Sequence, residues 1–147
     1  MLKGIHPLLV PDLLHALAGM GHGDALAIVD ANFPATSSAR RLVRADGLDA
    51  PRMVRAVLSV LPLDTFVPNA AFRMAVVDKP DDIPPITKEF AALLAASGYQ
   101  GEIEPIERFA YYERARNAYA IVATGERRYW GNLILKKGAI PPDGTST

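Results

Sequence analysis

The stretch Met20-Gly21-His22-Gly23-Asp24-Ala25-Leu26-Ala27-Ile28-Val29-Asp30 decides the fold. Its apolar half, residues 25–29, is short and punctuated at both ends, which reads as a buried strand. Upstream, Pro11-Asp12 opens a helix whose Leu13, Leu14, Leu17 and Met20 recur at helical spacing, and Gly21 supplies its stop. Asp30 then stands at the carboxyl end of a strand, where an α/β sheet usually presents its chemistry. His22, between two glycines, has a reachable ring and a backbone free to turn. Imidazole and carboxylate brought to one edge would form an acid/base pair.

Outward from this stretch the alternation continues. Residues 32–38, rich in small polar residues and containing Pro34, read as a loop. A short strand is expected at 41–44 and a helix at 51–61 with Met53, Val54, Val57, Leu58 and Leu61 inward, closed by Pro62. Strands are expected at 72–77 and 103–106, helices at 86–97 and 110–117, and a proline-rich loop at 78–85. Residues 119–123 and 130–135 flank Thr124-Gly125-Glu126-Arg127-Arg128-Tyr129 and look like two strands joined by a turn. Residues 141–147 are expected to fray. Helices alternating with strands predict one layered α/β domain over 1–147.

Bulk composition narrows the function. The 147 residues suffice for one domain that buries roughly 70 % of its unfolded surface. Half the chain is hydrophobic and 22 % charged, with 16 basic residues balancing 16 acidic ones, so no net field favours nucleic acid or an anionic membrane. Near-zero charge with this apolar content hints at surface hidden in an oligomer. There is no cysteine, which excludes disulfides and thiolate-bound metals. No stretch approaches the roughly eighteen apolar residues of a membrane span, and no secretory leader is evident. The expected location is the cytoplasm.

Most catalytic signatures are absent. His6, His15 and His22 are scattered, with no metal-ligand spacing. Gly19-x-Gly21-x-Gly23 lacks the later glycine of a dinucleotide fingerprint and follows no strand, and no Gly-x-Ser-x-Gly elbow occurs. What remains is His22, Asp30, Arg108, Tyr111, Tyr112, Trp130 and Asn132: planar donors and acceptors for hydroxyls, with flat rings for the apolar face of a sugar. A free imidazole has a pKa of about 6.5, which suits this residue type to proton transfer. The negative end of the preceding helix, with Asp24 and Asp30 as possible neighbours, would favour its protonated form. The plainer readings are a structural or solvent-exposed histidine, Asp30 capping the next turn, Asp24 fixing the glycine turn and Asp64 capping a loop.

Six blocks carry a more specific signal: MLKGIHPLL, LLHALAGMGHGDALAIVDANFPA, RADGL, LPLDTF, IERFAYYERARNAYAIVATGER and GNLILKKG. In these, and in their order over nearly the whole chain, the sequence resembles the L-fucose mutarotase / D-ribose pyranase family, in its fucose-mutarotase branch. The resemblance implies a three-layer α/β/α subunit with a mixed sheet, and an enzyme that interconverts sugar ring forms without cofactor or metal. By the same resemblance His22 matches the catalytic histidine. Asp30, Asp64, Arg108, Tyr112 and Asn132 match positions that line or bind the sugar. A homo-oligomer is implied, with a decameric ring the form of bacterial members and sites near subunit contacts. Residues 68–101 carry nothing over.

One departure bears on the substrate. The family commonly has tyrosine before the Gly-Asn pair, where this chain has Trp130 before Gly131-Asn132. An indole offers one N–H donor and a larger stacking face in place of a phenol. Tyr129, one place earlier, would face the other side of a strand and could not stand in. The expected reaction is exchange of α and β anomers of a free pyranose, with L-fucose or a related monosaccharide as substrate. The alternatives are pyranose–furanose exchange on ribose or a related pentose, and a non-catalytic monosaccharide-binding, transport-linked regulator.

Overall fold

The computed structural model describes residues 1–145. Chain order is α1 (Pro11–Gly19), β1 (Ala25–Val29), α2 (Ala35–Ser38), β2 (Leu42–Ala45), α3 (Ala50–Leu58), β3 (Ala71–Met74), α4 (Pro85–Ala96), β4 (Ile103–Ile106), α5 (Arg108–Asn117), β5 (Ala120–Thr124) and β6 (Leu133–Lys136). The six strands form one sheet in the order β2-β5-β1-β6-β3-β4. β6 runs antiparallel to both its neighbours, and every other pairing is parallel, so the sheet is mixed.

Alternation along the central strands builds two cores. Leu26 and Ile28 of β1 face Leu13 and Leu17 of α1, Met53, Val54 and Val57 of α3, and Phe90 and Leu94 of α4. Ala27 and Val29 face the other way, toward Phe33, Ala35 of α2 and Tyr111 and Ala115 of α5. The sheet is thus sandwiched between helices, the α/β/α layering expected. Each fully buried Leu or Ile contributes about 2 kcal/mol by leaving water, and β1, buried on both faces, reads as a continuous apolar run for that reason.

Most elements fall within a residue or two of their expected bounds. Residues 35–38 are a helical turn instead of loop. The helix expected to reach Leu61 ends at Leu58, with Ser59 Oγ donating to Ala56 O at 2.6 Å, before Pro62 can act. The turn expected between residues 119–123 and 130–135 does not make a hairpin, because β1 lies between β5 and β6. Thr124 Oγ1 donates to Val29 O (2.7 Å) and Ala31 N–H to Glu126 O (2.8 Å), so the chain leaving β5 is held along the end of β1 and crosses it. β6 accordingly begins only at Leu133. In the tail, Gly144 N–H donates to Pro141 O at 2.9 Å and closes a turn. Residues 146–147 of the segment expected to fray lie outside the described residues.

Candidate active site

The loop before β1 is shaped by its glycines and by Asp24. Gly21 N–H donates to Asp24 Oδ2 at 2.7 Å, and Gly23 takes φ +88°, a conformation that favours glycine. Gly23 N–H donates to Lys137 O and Lys137 N–H to Asp24 O, both at 2.8 Å, which ties the loop to the end of β6. The turn lifts His22 out, leaving its side chain 43 % exposed, with Nε2 3.0 Å from Oδ1 of Asp64.

Asp64 itself is buried and held on every side. Its N–H donates to Lys136 O at 3.0 Å, extending the edge of β6. Oδ1 also accepts from Phe66 N–H (3.0 Å), and Oδ2 lies 3.6 Å from Lys136 Nζ. Burial raises the carboxyl pKa, but the Phe66 N–H, His22 and Lys136 outweigh it and hold Asp64 below the usual carboxylate value. The loop-capping role read from the sequence and the contact with His22 therefore coexist on one oxygen. The exposed ring of Phe66 stands 5.3 Å from the imidazole. An open imidazole over a buried, ionised carboxylate can accept or release a proton at Nδ1 while Nε2 stays fixed.

At the other end of β1, Asp30 and Asn132 form a buried pair. Asp30 N–H donates to Asn132 Oδ1 (2.9 Å), and Asn132 Nδ2 donates back to Asp30 Oδ2 (3.0 Å). Asp30 Oδ1 accepts from Asn32 N–H at 3.0 Å, the turn-capping role also foreseen. Here burial prevails over these hydrogen bonds, and the Asp30 carboxyl is raised above its usual pKa. Tyr111 is fully buried, its hydroxyl has no partner, and burial with the nearby Asp30 charge pushes its pKa well up. Phe33 bridges to the half-buried Tyr112, with ring centroids 5.4 Å apart. Arg108 opens α5, its guanidinium 4.6 Å over Phe109 and its buried Nε without a hydrogen-bond partner.

Trp130 packs half-buried on the same core, at φ +66°, which a bulky residue rarely adopts. The expected strand conformation at 129–130 is therefore absent, although Tyr129 does point to solvent. The loop is held by Glu126, a residue sequence reading passed over. Glu126 is buried, accepts from Ala50 N–H (3.3 Å), and pairs with Arg128 Nε at 3.0 Å. A Cβ on Gly131 would meet Glu126 Cγ at 2.7 Å, so only glycine fits against it.

One expectation is overturned. His22 and Asp30 do not share an edge: one precedes β1 and the other follows it, separated by a five-residue strand roughly 16 Å long. The partner of His22 is Asp64, brought from 42 residues away. The negative pole at the end of α1 is taken up by Lys137, whose Nζ donates to Leu17 O and Met20 O. Lys136 and Phe66 beside the pair were not foreseen; the only signal for Lys136 was its place in the GNLILKKG block. Among the described residues no cluster of three or more His, Cys, Asp or Glu could hold a metal ion. Among the described residues no helix is long and apolar enough to cross a membrane.

The chain is similar to known proteins over nearly its whole length. The chain is 47 % identical to the fucose mutarotase of Danio rerio, covering 97 % of each. The crystal structure of the fucose mutarotase of Streptococcus pneumoniae in complex with L-fucose superposes with TM-score 0.90 at 41 % identity, over 95 % of this chain and all of that one. The Bacillus subtilis RbsD complexed with D-ribose shares the fold, with TM-score 0.72 at 22 % identity over 96 % of this chain and all of that one. Residues 3–140 match the family model, and the chain belongs to the RbsD / FucU transport protein family.

Proposed function

We propose that the protein is a cofactor-independent sugar mutarotase that interconverts the α and β anomers of L-fucose or a closely related pyranose. The observation that carries this reading is the His22–Asp64 pair, an exposed imidazole held at 3.0 Å by a buried carboxylate, in a chain similar to fucose mutarotases over its full length. A base takes the proton of the anomeric hydroxyl while an acid protonates the ring oxygen. The bond from the anomeric carbon to the ring oxygen breaks, leaving an aldehyde and a hydroxyl. Rotation about the adjoining C–C bond and the reverse addition give the other anomer. His22 is the acid/base group and Asp64 orients it. General acid/base transfer contributes typically 10²–10⁴-fold, which suits a reaction already proceeding in water.

Asp30, Asn132, Arg108, Tyr112 and Trp130 hold hydroxyls and the apolar face of the sugar. They lie a strand's length from His22 within one subunit, so the working site joins the His22 end of one copy to the Asp30 end of a neighbour. The exposed rings of Phe66, Phe109 and Tyr129 at these ends support such a contact. The assembly is a homo-oligomer, with the decameric ring implied by the family resemblance, built from single-domain subunits in the cytoplasm.

The test is saturation-transfer NMR on the anomeric protons of fucose, galactose, ribose and rhamnose. Enhanced exchange is expected for fucose and lost in His22→Ala. Binding of sugar with exchange left at its spontaneous rate would establish a regulator instead. Conversion confined to ribose would establish a pyranase.

A further inference from the structure

Arg73 stands on β3 among apolar neighbours and is buried to 95 %. Alternation along the strand sends Ala71 and Arg73 to the face covered by α4, while Phe72 and Met74 join the opposite core. One guanidinium nitrogen, Nη2, donates to Pro80 O at 3.3 Å. Nη1 is buried with no hydrogen-bond partner. A cation so placed loses its hydration and gets one neutral acceptor in return, an arrangement costly unless an anion completes it. Burial pulls the Arg73 pKa down, with only the field of Asp81 opposing, and Asp81 makes no ion pair with it.

Arg73 lines a cavity of about 510 Å³ between α4 and the start of β4, within the usual range for a small-molecule site. Its walls are Ile83, Ala91, Leu94 and Ile103, with buried Thr87 beside the arginine. The exposed Lys88 and Glu102, opposite in sign, line it as well and offset one another, leaving the guanidinium as the net charge of the lining, with Asp81 outside the lining and acting only through its field. One net positive charge and apolar walls suit a monoanion with an apolar body better than a doubly charged phosphate or a polyhydroxylated sugar. A planar fork of donors matches a carboxylate.

We propose that this cavity is a binding site for a small carboxylate with an apolar body, with Arg73 as its ion-pair partner. The site lies on the sheet face opposite Tyr111 and Phe33 and is independent of the anomer-exchange reading.

Benzoate is the probe, followed by the methyl chemical shifts of Ile83, Leu94 and Ile103. Saturable shifts at millimolar concentration are expected, weakened at least tenfold in Arg73→Met and at least fivefold in Arg73→Lys, which keeps the charge but loses the fork. Benzyl alcohol, of the same body without charge, should not saturate, and inorganic phosphate should bind at least tenfold more weakly. R73M should unfold at or above the parent temperature, since it removes a buried unpaired charge. Absence of saturation, equal binding by benzyl alcohol or phosphate, or undiminished binding in both variants would overturn the assignment. A folded R73K with markedly lowered thermal stability and unchanged benzoate affinity would make Arg73 a structural ion and do the same.

Discussion

Asp30 and Asn132 clasp each other across the β1–β6 junction, the aspartate N–H donating to the amide oxygen at 2.9 Å and the amide nitrogen returning to the carboxylate at 3.0 Å. The two residues are 102 positions apart, and Asn132 stands directly before Leu133, the first residue of β6. The clasp consumes one carboxylate oxygen, Asn32 N–H the other, and still burial leaves Asp30 easier to protonate than a free aspartate. At the far end of the same strand Asp64 is harder to protonate than usual.

Those opposite shifts give opposite pH signatures. Asp64 contributes stability that is present above the unfolded carboxylate pKa of about 3.9 and lost as pH falls through its lower folded value. Asp30, whose folded value is raised, favours the native state when protonated. Its contribution is present below pH about 3.9 and is lost as pH rises through the folded value. Urea midpoints measured from pH 3 to pH 7 should show Asp64→Asn losing stability relative to the parent as pH rises, and Asp30→Asn gaining. Parallel curves for both variants would refute this.

Removing the carboxylate behind His22 should slow anomeric exchange as much as removing the histidine. Asp64→Asn and His22→Ala are each expected to lower the rate 10²–10⁴-fold, and the double variant little further, since the residues act as a unit. Saturation transfer on fucose reads this directly. Strict multiplication of the two losses would show independent roles.

Tyr111→Phe should be neutral or stabilising. The hydroxyl is fully buried with no partner, and its removal relieves a desolvation cost of about 1 kcal/mol. A melting temperature unchanged or about 2–4 °C higher is expected. A clear drop would reveal a hydrogen bond in the native state.

Glu126 binds the N-terminus of α3 to the loop that presents Trp130 and Asn132. Glu126→Ala leaves Arg128 with only its exposed partner Glu89 and Ala50 N–H with none, at an expected cost of about 3 kcal/mol in chemical denaturation. Exchange in whatever folded protein survives should show a raised KM for sugar.

Trp130→Tyr should retain the fold and shift the ranking of sugars in the exchange assay, because a phenol can accept and donate where the indole only donates. An unchanged profile would remove Trp130 from substrate selection. Trp130→Gly should cost less stability than truncation of a half-buried tryptophan normally does, since glycine relieves the φ of +66°.

The sequence by itself determined the layering and nearly every element. Ala25–Val29 is apolar on both faces, and the helices of residues 11–19, 50–58 and 85–96 carry their apolar residues at helical spacing, patterns written in nearest-neighbour chemistry. Resemblance across six blocks singled out His22, Asp30, Asp64, Arg108, Tyr112 and Asn132, and the departure from the family pattern singled out Trp130. Only the tertiary structure decided which of them meet. β1 inserts between β5 and β6, which undoes the hairpin suggested by Thr124–Tyr129. Eight residues of separation look close in sequence, yet a strand's rise carries His22 and Asp30 to opposite ends, while chain reversal brings Asp64 to 3.0 Å from the imidazole. Local pattern reports which side chains are buried; contact between distant segments depends on strand order, which the packing of two apolar faces against separate helix layers selects.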